Sequence, residues 1–315
     1  MNVALASQFN MFLDHCTFTK AMSRPTIRGY GDVFRLFAAL MPEVTHATQL
    51  NAETLDQFFI RLQRRQTTRG NRTFASRVKA STIRTYASKL HTFCDWLLAR
   101  GEIASNPVMR ANLPKVSYTD RRALSRIEID KLLSAITQHA PNRFQLKREL
   151  AMVHVLLFAG LRRGELLALK VSNIDLTRRI VTVDGRTSKS QRTRHIPITA
   201  AAVMHLEDYL QERRKRRSRC EHLWLSTRGD SPLTCHGLRR WVERLRVQSG
   251  VHFHVHRFRH TFACMLGGNN VSAIKVQKLM GHTDLRMTQT YMRSLGVEDV
   301  RDSIQHLSLD SLASL

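Results

Sequence analysis

The 315-residue sequence predicts a mainly α fold with a small antiparallel sheet, divided between two domains. Three observations carry that expectation. Apolar residues recur at helical spacing through 26–41 and 81–100. Two short apolar runs, 179–183 and 194–197, flank a polar segment and read as one β-hairpin. Between these regions Gly101, Pro107 and Pro114 resist helix continuation, and the length fits two domains at roughly 150 residues each.

The first domain is expected over 1–110. In 81–100 the residues Ile83, Tyr86, Leu90, Phe93 and Leu97 step by 3, 4, 3 and 4, which places them on one helix face. Ile27, Tyr30, Phe34, Phe37 and Met41 do the same in 26–41, and both segments open with Thr-Ile-Arg-x-Tyr, at Thr26 and Thr82. A third helix is expected over Ala52–Arg64, with Leu55, Phe58, Phe59 and Leu62 inward. Such stripes are buried only by packing together, so a small bundle follows. The polar stretch 66–76, with Arg65, Arg69, Arg72 and Arg77 in or beside it, reads as a basic loop.

A linker is expected over 111–121 and the second domain over 122–315. Ser125-x-x-Glu128 has the form of a capping box opening a helix. Further helices are expected over 147–158, 162–171 and 200–217, the last ending in Arg-Arg-Lys-Arg-Arg where cations suit the carbonyl end. The hairpin lies between the second and third of these. Helices over 270–280 and 284–292 follow, then an amphipathic stretch carrying Val297, Val300, Ile304 and Leu307.

Charge narrows the function. The chain carries 50 Lys+Arg against 25 Asp+Glu, a formal +25. Residues 1–110 hold 15 cations against 7 anions and the remainder 35 against 18, so both parts are basic. Of the 50 cations 39 are Arg, whose planar fork matches phosphate oxygens. A polyanion, foremost a nucleic acid, is the expected partner. No apolar run is long enough for a membrane span. The opening residues lack the basic region of a secretory leader, and the five cysteines are scattered without a Cys-x-x-Cys pair, which fits a reducing cytoplasm. His252, His254 and His256 alternate, but Arg257 and Arg259 crowd them and no Cys or carboxylate lies close in sequence. Neither a metal site nor a cofactor is expected.

Five features of the second domain carry chemistry. They are Gly160-Leu161-Arg162-Arg163-Gly164-Glu165, Lys189 on the hairpin tip, His256-Arg257-Phe258-Arg259-His260, Leu279-Met280-Gly281-His282 and Thr288-Gln289-Thr290-Tyr291. Singly each is weak. In this order they resemble the tyrosine recombinase, or phage integrase, family. GLRRGELLAL resembles its first arginine box, HRFRHTFA its second, and LMGHTDLRMTQTY the stretch with its last histidine and nucleophile. The resemblance covers about 120–300 strongly. It extends weakly to the N-terminal helices, which are similar to the family's core-binding domain.

The resemblance implies a catalytic set of Arg162, Lys189, His256, Arg259, His282 and Tyr291. Arginines are fixed cations that stabilise charge collecting on the oxygens of a five-coordinate phosphorus. Tyr291 would attack to give a 3′-phosphotyrosine, with His256 as base and Lys189 as acid to the 5′-oxygen. Glu165 would hold Arg162 or nearby backbone, or lie on the surface. Arg69, Arg72, Arg77, Arg84, Arg186, Arg192, Arg194 and Arg257 are candidate DNA contacts, and the 213–217 run is expected to approach phosphate. The implied function is site-specific recombination of double-stranded DNA bearing inverted repeats, through a Holliday junction and without metal or ATP. A homotetramer on two sites, monomeric when free, would act in the cytoplasm on the nucleoid. Its tail would dock on a neighbouring protomer or on its own domain. A type IB topoisomerase-like relaxing enzyme and a non-catalytic DNA-binding relative are the alternatives.

Overall fold

The structure is a computed structural model that describes residues 3–65, 67–69, 72–74, 78–115, 123–187, 191–269, 271–282 and 284, with 67–69 and 72–74 described as backbone alone. It divides into two compact units, 1–118 and 119–315.

The first unit is built from α1 (Leu5–Asp14), α2 (Arg24–Leu40), α3 (Ala52–Arg64) and α4 (Ala80–Ala99). The stripes read from the sequence form its core. Phe34, Phe37, Phe58, Phe59, Ile83, Leu90, Phe93 and Leu97 are all buried. Phe9 and Phe12 of α1, a helix the sequence reading did not draw, complete it. Phe9 stacks on Phe34 with ring centroids 4.1 Å apart, and Phe12 meets Phe93 edge-on at 5.4 Å. Aromatic pairs of this geometry add to area burial. Asn51 caps α3, its side chain accepting from the Thr54 amide at 2.8 Å.

Two differences from expectation lie in this unit. The backbone of β1 (Thr67–Arg69) pairs antiparallel with β2 (Arg72–Phe74), so the stretch expected as a loop holds a short hairpin, with Arg69 opposite Arg72. The start of the expected linker is also docked. Ala111 and Leu113 pack against this unit's core, and Asp56 accepts from the Asn112 amide at 2.8 Å.

The second unit contains α5 (Arg126–His139), α6 (Arg143–Ala159), α7 (Arg163–Ala168), β3 (Ile174–Asp175), β4 (Ile180–Val183), β5 (Arg194–Pro197), α8 (Ala200–Lys215), α9 (Cys235–Ser249), α10 (Val255–Gly268) and α11 (Ala273–Met280). It is mainly helical with a small antiparallel sheet, as the sequence predicts. Helix α6 is the centre. It is apolar nearly all round, with Ala151, Met152, Val153, Val155 and Leu156 fully buried, and it packs against α5, α8 and α10. The Ser125 capping box forms as read: Ser125 Oγ accepts the Glu128 amide at 3.2 Å and Glu128 Oε2 accepts the Ser125 amide at 2.8 Å.

The sheet runs β3-β4-β5, with Val181 opposite Ile196 and Val183 opposite Arg194. Val181, Val183 and Ile196 face the core, and strand alternation carries Arg194 to that same buried face. One cation at the end of α8 differs from expectation. Arg213 is buried, donating to the Cys220, His222 and Leu223 carbonyls, and the Arg216 guanidinium lies 3.7 Å from the Phe144 ring centroid. Arg213 thus holds the fold, whereas Arg214, Lys215, Arg216 and Arg217 are exposed. No described helix is long and apolar enough to cross a membrane.

Candidate active site

Helix α6 stops at Gly160, whose φ of +56° lies in the left-handed region. A Cβ there would come within 2.3 Å of the Phe262 ring, so only glycine fits this turn. The chain then enters α7 with Arg162 as its N-cap. Helix α10 brings His256 and Arg259. Helix α11 ends at Gly281, again left-handed with φ +63°, immediately before His282.

Glu165 is the hub, and it is only 2 % exposed. Its carboxylate accepts the Arg162 amide at 2.8 Å and Arg162 Nη1 at 2.8 Å. It also takes the fork of Arg194, at 3.1 Å from Nη1 and 2.7 Å from Nη2. Arg259 Nη1 lies 3.9 Å from the same carboxylate. Burial opposes ionisation of Glu165. The hydrogen bonds and charge of Arg194, followed by the amide and guanidinium of Arg162, overcome it and hold the carboxyl at about 2.

The same three arginines grip the end of α11. Arg194 Nε donates to the Leu279 carbonyl at 3.0 Å, Arg259 Nη2 to Met280 at 2.5 Å and Arg162 Nη2 to Gly281 at 3.0 Å. Arg259 Nη1 also donates to the Gly160 carbonyl at 2.6 Å. Three consecutive carbonyls at the negative end of a helix thus receive three guanidinium groups. Three cations around one carboxylate leave two positive charges in excess. The Arg162 side chain keeps 22 % of its surface open, whereas Arg259 is 1 % exposed.

His282 sits in that field and is buried. Its pKa is pushed down to about 4, first by burial and then by the charges of Arg259, Arg162, Arg194 and His256. At neutral pH it is therefore an uncharged imidazole, able to donate one hydrogen bond without adding charge. His256 is exposed in the first turn of α10. His254 is the N-cap of α10, its Nδ1 accepting the Arg257 amide at 3.0 Å, so the alternating histidines do not lie on a strand.

The structure therefore brings Arg162, Arg259 and His282 together, with His256 contributing to their field. Lys189 and Tyr291 lie outside the described residues, as does Arg77. Arg69 and Arg72 are described as backbone alone. Arg84 is exposed, with Nε bonded to the Pro114 carbonyl at 3.0 Å. Arg192 is exposed, and Arg186 is exposed beside Asp184. Arg194 and Arg257 differ from the expectation of surface DNA contacts. Arg194 is buried on Glu165. Arg257 bonds Glu128 at 2.9 Å and the His252 carbonyl at 2.8 Å, tying α10 to the start of α5. The sequence reading left Glu165 undecided and missed the role of Arg194. The alternation Arg194-His195-Ile196, with Ile196 in the core, carries the signal for its burial.

Comparison with known proteins places the chain in a family. The sequence profile described as the phage integrase family matches residues 122–296. The tyrosine recombinase XerC of Oceanobacillus iheyensis is 29 % identical over 289 residues, covering 89 % of each chain. That of Bacillus licheniformis is 33 % identical over 217 residues, covering 67 % of this chain and 69 % of its own. Among solved structures, the Tn1549 transposon integrase in complex with transposon right end DNA superposes with a TM-score of 0.74 at 16 % identity, covering 97 % of this chain and 99 % of that one. This chain belongs to the phage integrase family, the tyrosine recombinases.

Proposed function

We propose that this chain cuts and rejoins duplex DNA as a site-specific recombinase, with Tyr291 as the nucleophile. The observation that carries the reading is the arginine pair Arg162 and Arg259 set beside a neutral His282, with excess positive charge fixed by Glu165. A phosphodiester undergoing displacement gathers charge on its non-bridging oxygens. Preorganised cationic donors in a water-poor site stabilise that charge strongly. His282 adds a hydrogen bond that persists through the neutral pH range.

In the proposed step the Tyr291 oxygen attacks phosphorus, forming a phosphotyrosine bond to the 3′ side. The bond from phosphorus to the 5′-oxygen breaks. His256 takes the phenol proton, and Lys189 gives a proton to the departing 5′-oxygen. The phosphotyrosine conserves the bond energy of the diester, so rejoining to a second strand draws on no nucleotide. Repeating the exchange on the other strand pair resolves a Holliday junction.

The DNA partner accords with the charge on both units and with the DNA complex of the Tn1549 integrase. The finer reading is a homotetramer acting on two sites with inverted repeats, monomeric when free and working on the nucleoid in the cytoplasm. The first unit would serve as the core-binding domain, with 111–121 as the linker. Arg69, Arg72, Arg77, Arg84, Arg186 and Arg192 would lie along the phosphate backbone.

The test starts by selecting bound duplexes from a randomised pool with the full chain, then nicking the selected repeat near its centre. The expected result is a covalent protein–DNA adduct that survives denaturation, forms in EDTA and disappears in Tyr291→Phe. An adduct that persists in Tyr291→Phe moves the nucleophile elsewhere, and wild-type protein that forms none overturns the reading.

A further inference from the structure

Among the described residues, Arg194 is the member of the buried cluster that comes from the hairpin. It opens β5, five residues beyond Lys189. Its base is firmly built: the Gly185 amide donates to Thr193 Oγ1 at 3.0 Å, and Val183 pairs with Arg194 across the ladder. From there the side chain makes three directed bonds, two to Glu165 of α7 and one to the Leu279 carbonyl at the end of α11.

We propose that Arg194 is a positioning residue for strand cleavage: it fixes the hairpin strand to Glu165 and the α11 terminus, and so sets Arg162 and His282 in register with the hairpin. The inference rests on the recombinase reading above. It follows from what each bond constrains. The Glu165 carboxylate carries Arg162 on one side and Arg194 on the other, with Arg259 farther off, so loss of Arg194 leaves a buried carboxylate without its two-pronged partner and with two of its three guanidinium neighbours. The groups facing Glu165 are then Arg162 from α7 and Arg259 from α10, with His282 beyond them. Protonation of Glu165 becomes easier, and a protonated Glu165 releases Arg162 from its orientation. A lysine at 194 restores the charge but not the planar fork that holds both carboxylate oxygens.

The experiment compares wild type, Arg194→Met and Arg194→Lys on the nicked duplex selected by the wild-type protein. Single-turnover adduct formation is followed from pH 5 to 8, with DNA affinity measured alongside. Arg194→Met is expected to bind DNA close to wild-type affinity and to cleave on the order of 10²-fold more slowly. The ratio of its rate to wild type is expected to fall further as pH drops from 8 to 5. Arg194→Lys is expected to recover a pH-independent ratio and to stay about 10-fold slow. If Arg194→Met does not fold, Arg194→Lys decides alone: slow cleavage with retained DNA affinity supports the role. Wild-type rates in either variant overturn it, as does a slowed Arg194→Met whose ratio to wild type is the same at every pH. Absence of any wild-type adduct sinks the recombinase reading instead, so the two failures are distinguishable.

Discussion

Two buried glutamates in the second unit, Glu165 and Glu149, each gather arginines, and the contrast between them separates chemistry from architecture. Glu149 is buried beside Arg148, also buried, and receives Arg244 from α9. Arg148 Nη1 goes on to the Leu225 carbonyl at 2.7 Å. That cluster ties α6 to α9 and to a loop. Around Glu165 a third arginine is added, all three grip the end of a helix, and a buried neutral histidine follows directly. A buried arginine–glutamate pair is therefore no marker of a site by itself. The surplus of fixed charge and the uncharged donor beside it are what suit a phosphate.

The most forceful way to break the contrast is to remove Arg162. Arg162→Ala is expected to cost on the order of 10²–10³-fold in single-turnover cleavage with DNA binding largely kept. A rate near wild type would deprive the Glu165 cluster of its claimed role. Glu149→Gln is expected to act on folding instead. It leaves Arg148 buried without its counter-charge and should lower unfolding free energy by about 3 kcal/mol in urea melts. Unchanged stability would mean that the Glu149 cluster is not a structural tie.

Acid sharpens the same comparison. The Glu165 pKa of about 2 lies below its ordinary 4.5, so its contribution is fully present above pH 4.5 and is lost as pH falls through 2. At about 1.4 kcal/mol per unit that is on the order of 3 kcal/mol. His282, at about 4 against an ordinary 6.5, works in the same direction, because the unfolded chain takes the proton first. Stability is expected to decline from pH 6.5 downward. In Glu165→Gln the portion between 4.5 and 2 should be absent from urea melts taken across that range. The smallest effect expected is at Gly281. A Cβ there meets Arg194 Nη1 at 3.0 Å and the backbone is left-handed, so Gly281→Ala should cost about 1–2 kcal/mol, read from thermal melts.

Much of this was legible before the structure. Helix α3 begins and ends where its apolar spacing says, and the Ser125 capping box forms with both bonds, because these features depend on neighbours in sequence. The hairpin of β1 and β2 was missed although Gly70-Asn71 stands between two Thr/Arg runs, a two-residue turn signal hidden by polar side chains. Arg194 and Arg213 were read as surface cations because Arg is usually exposed. Arg194 is buried by Glu165, 29 residues away, and Arg213 by carbonyls of the loop at 220–223 that follows its own helix. Strand alternation puts Arg194 on the buried face, but neither partner has a recognisable spacing in the sequence. In Glu165 the sequence showed a carboxylate three residues from Arg162, which gives one bond of the hub but not the two other arginines.

The most direct test of the distinction between the two clusters is single-turnover cleavage by Glu165→Gln and Glu149→Gln, measured on the same nicked duplex at equal bound and folded fractions. Glu165→Gln should cleave at least about 10-fold more slowly than wild type, while Glu149→Gln should match it. Equal rates in the two variants, or a slower Glu149→Gln, would contradict the assignment of the reaction centre to the Glu165 cluster.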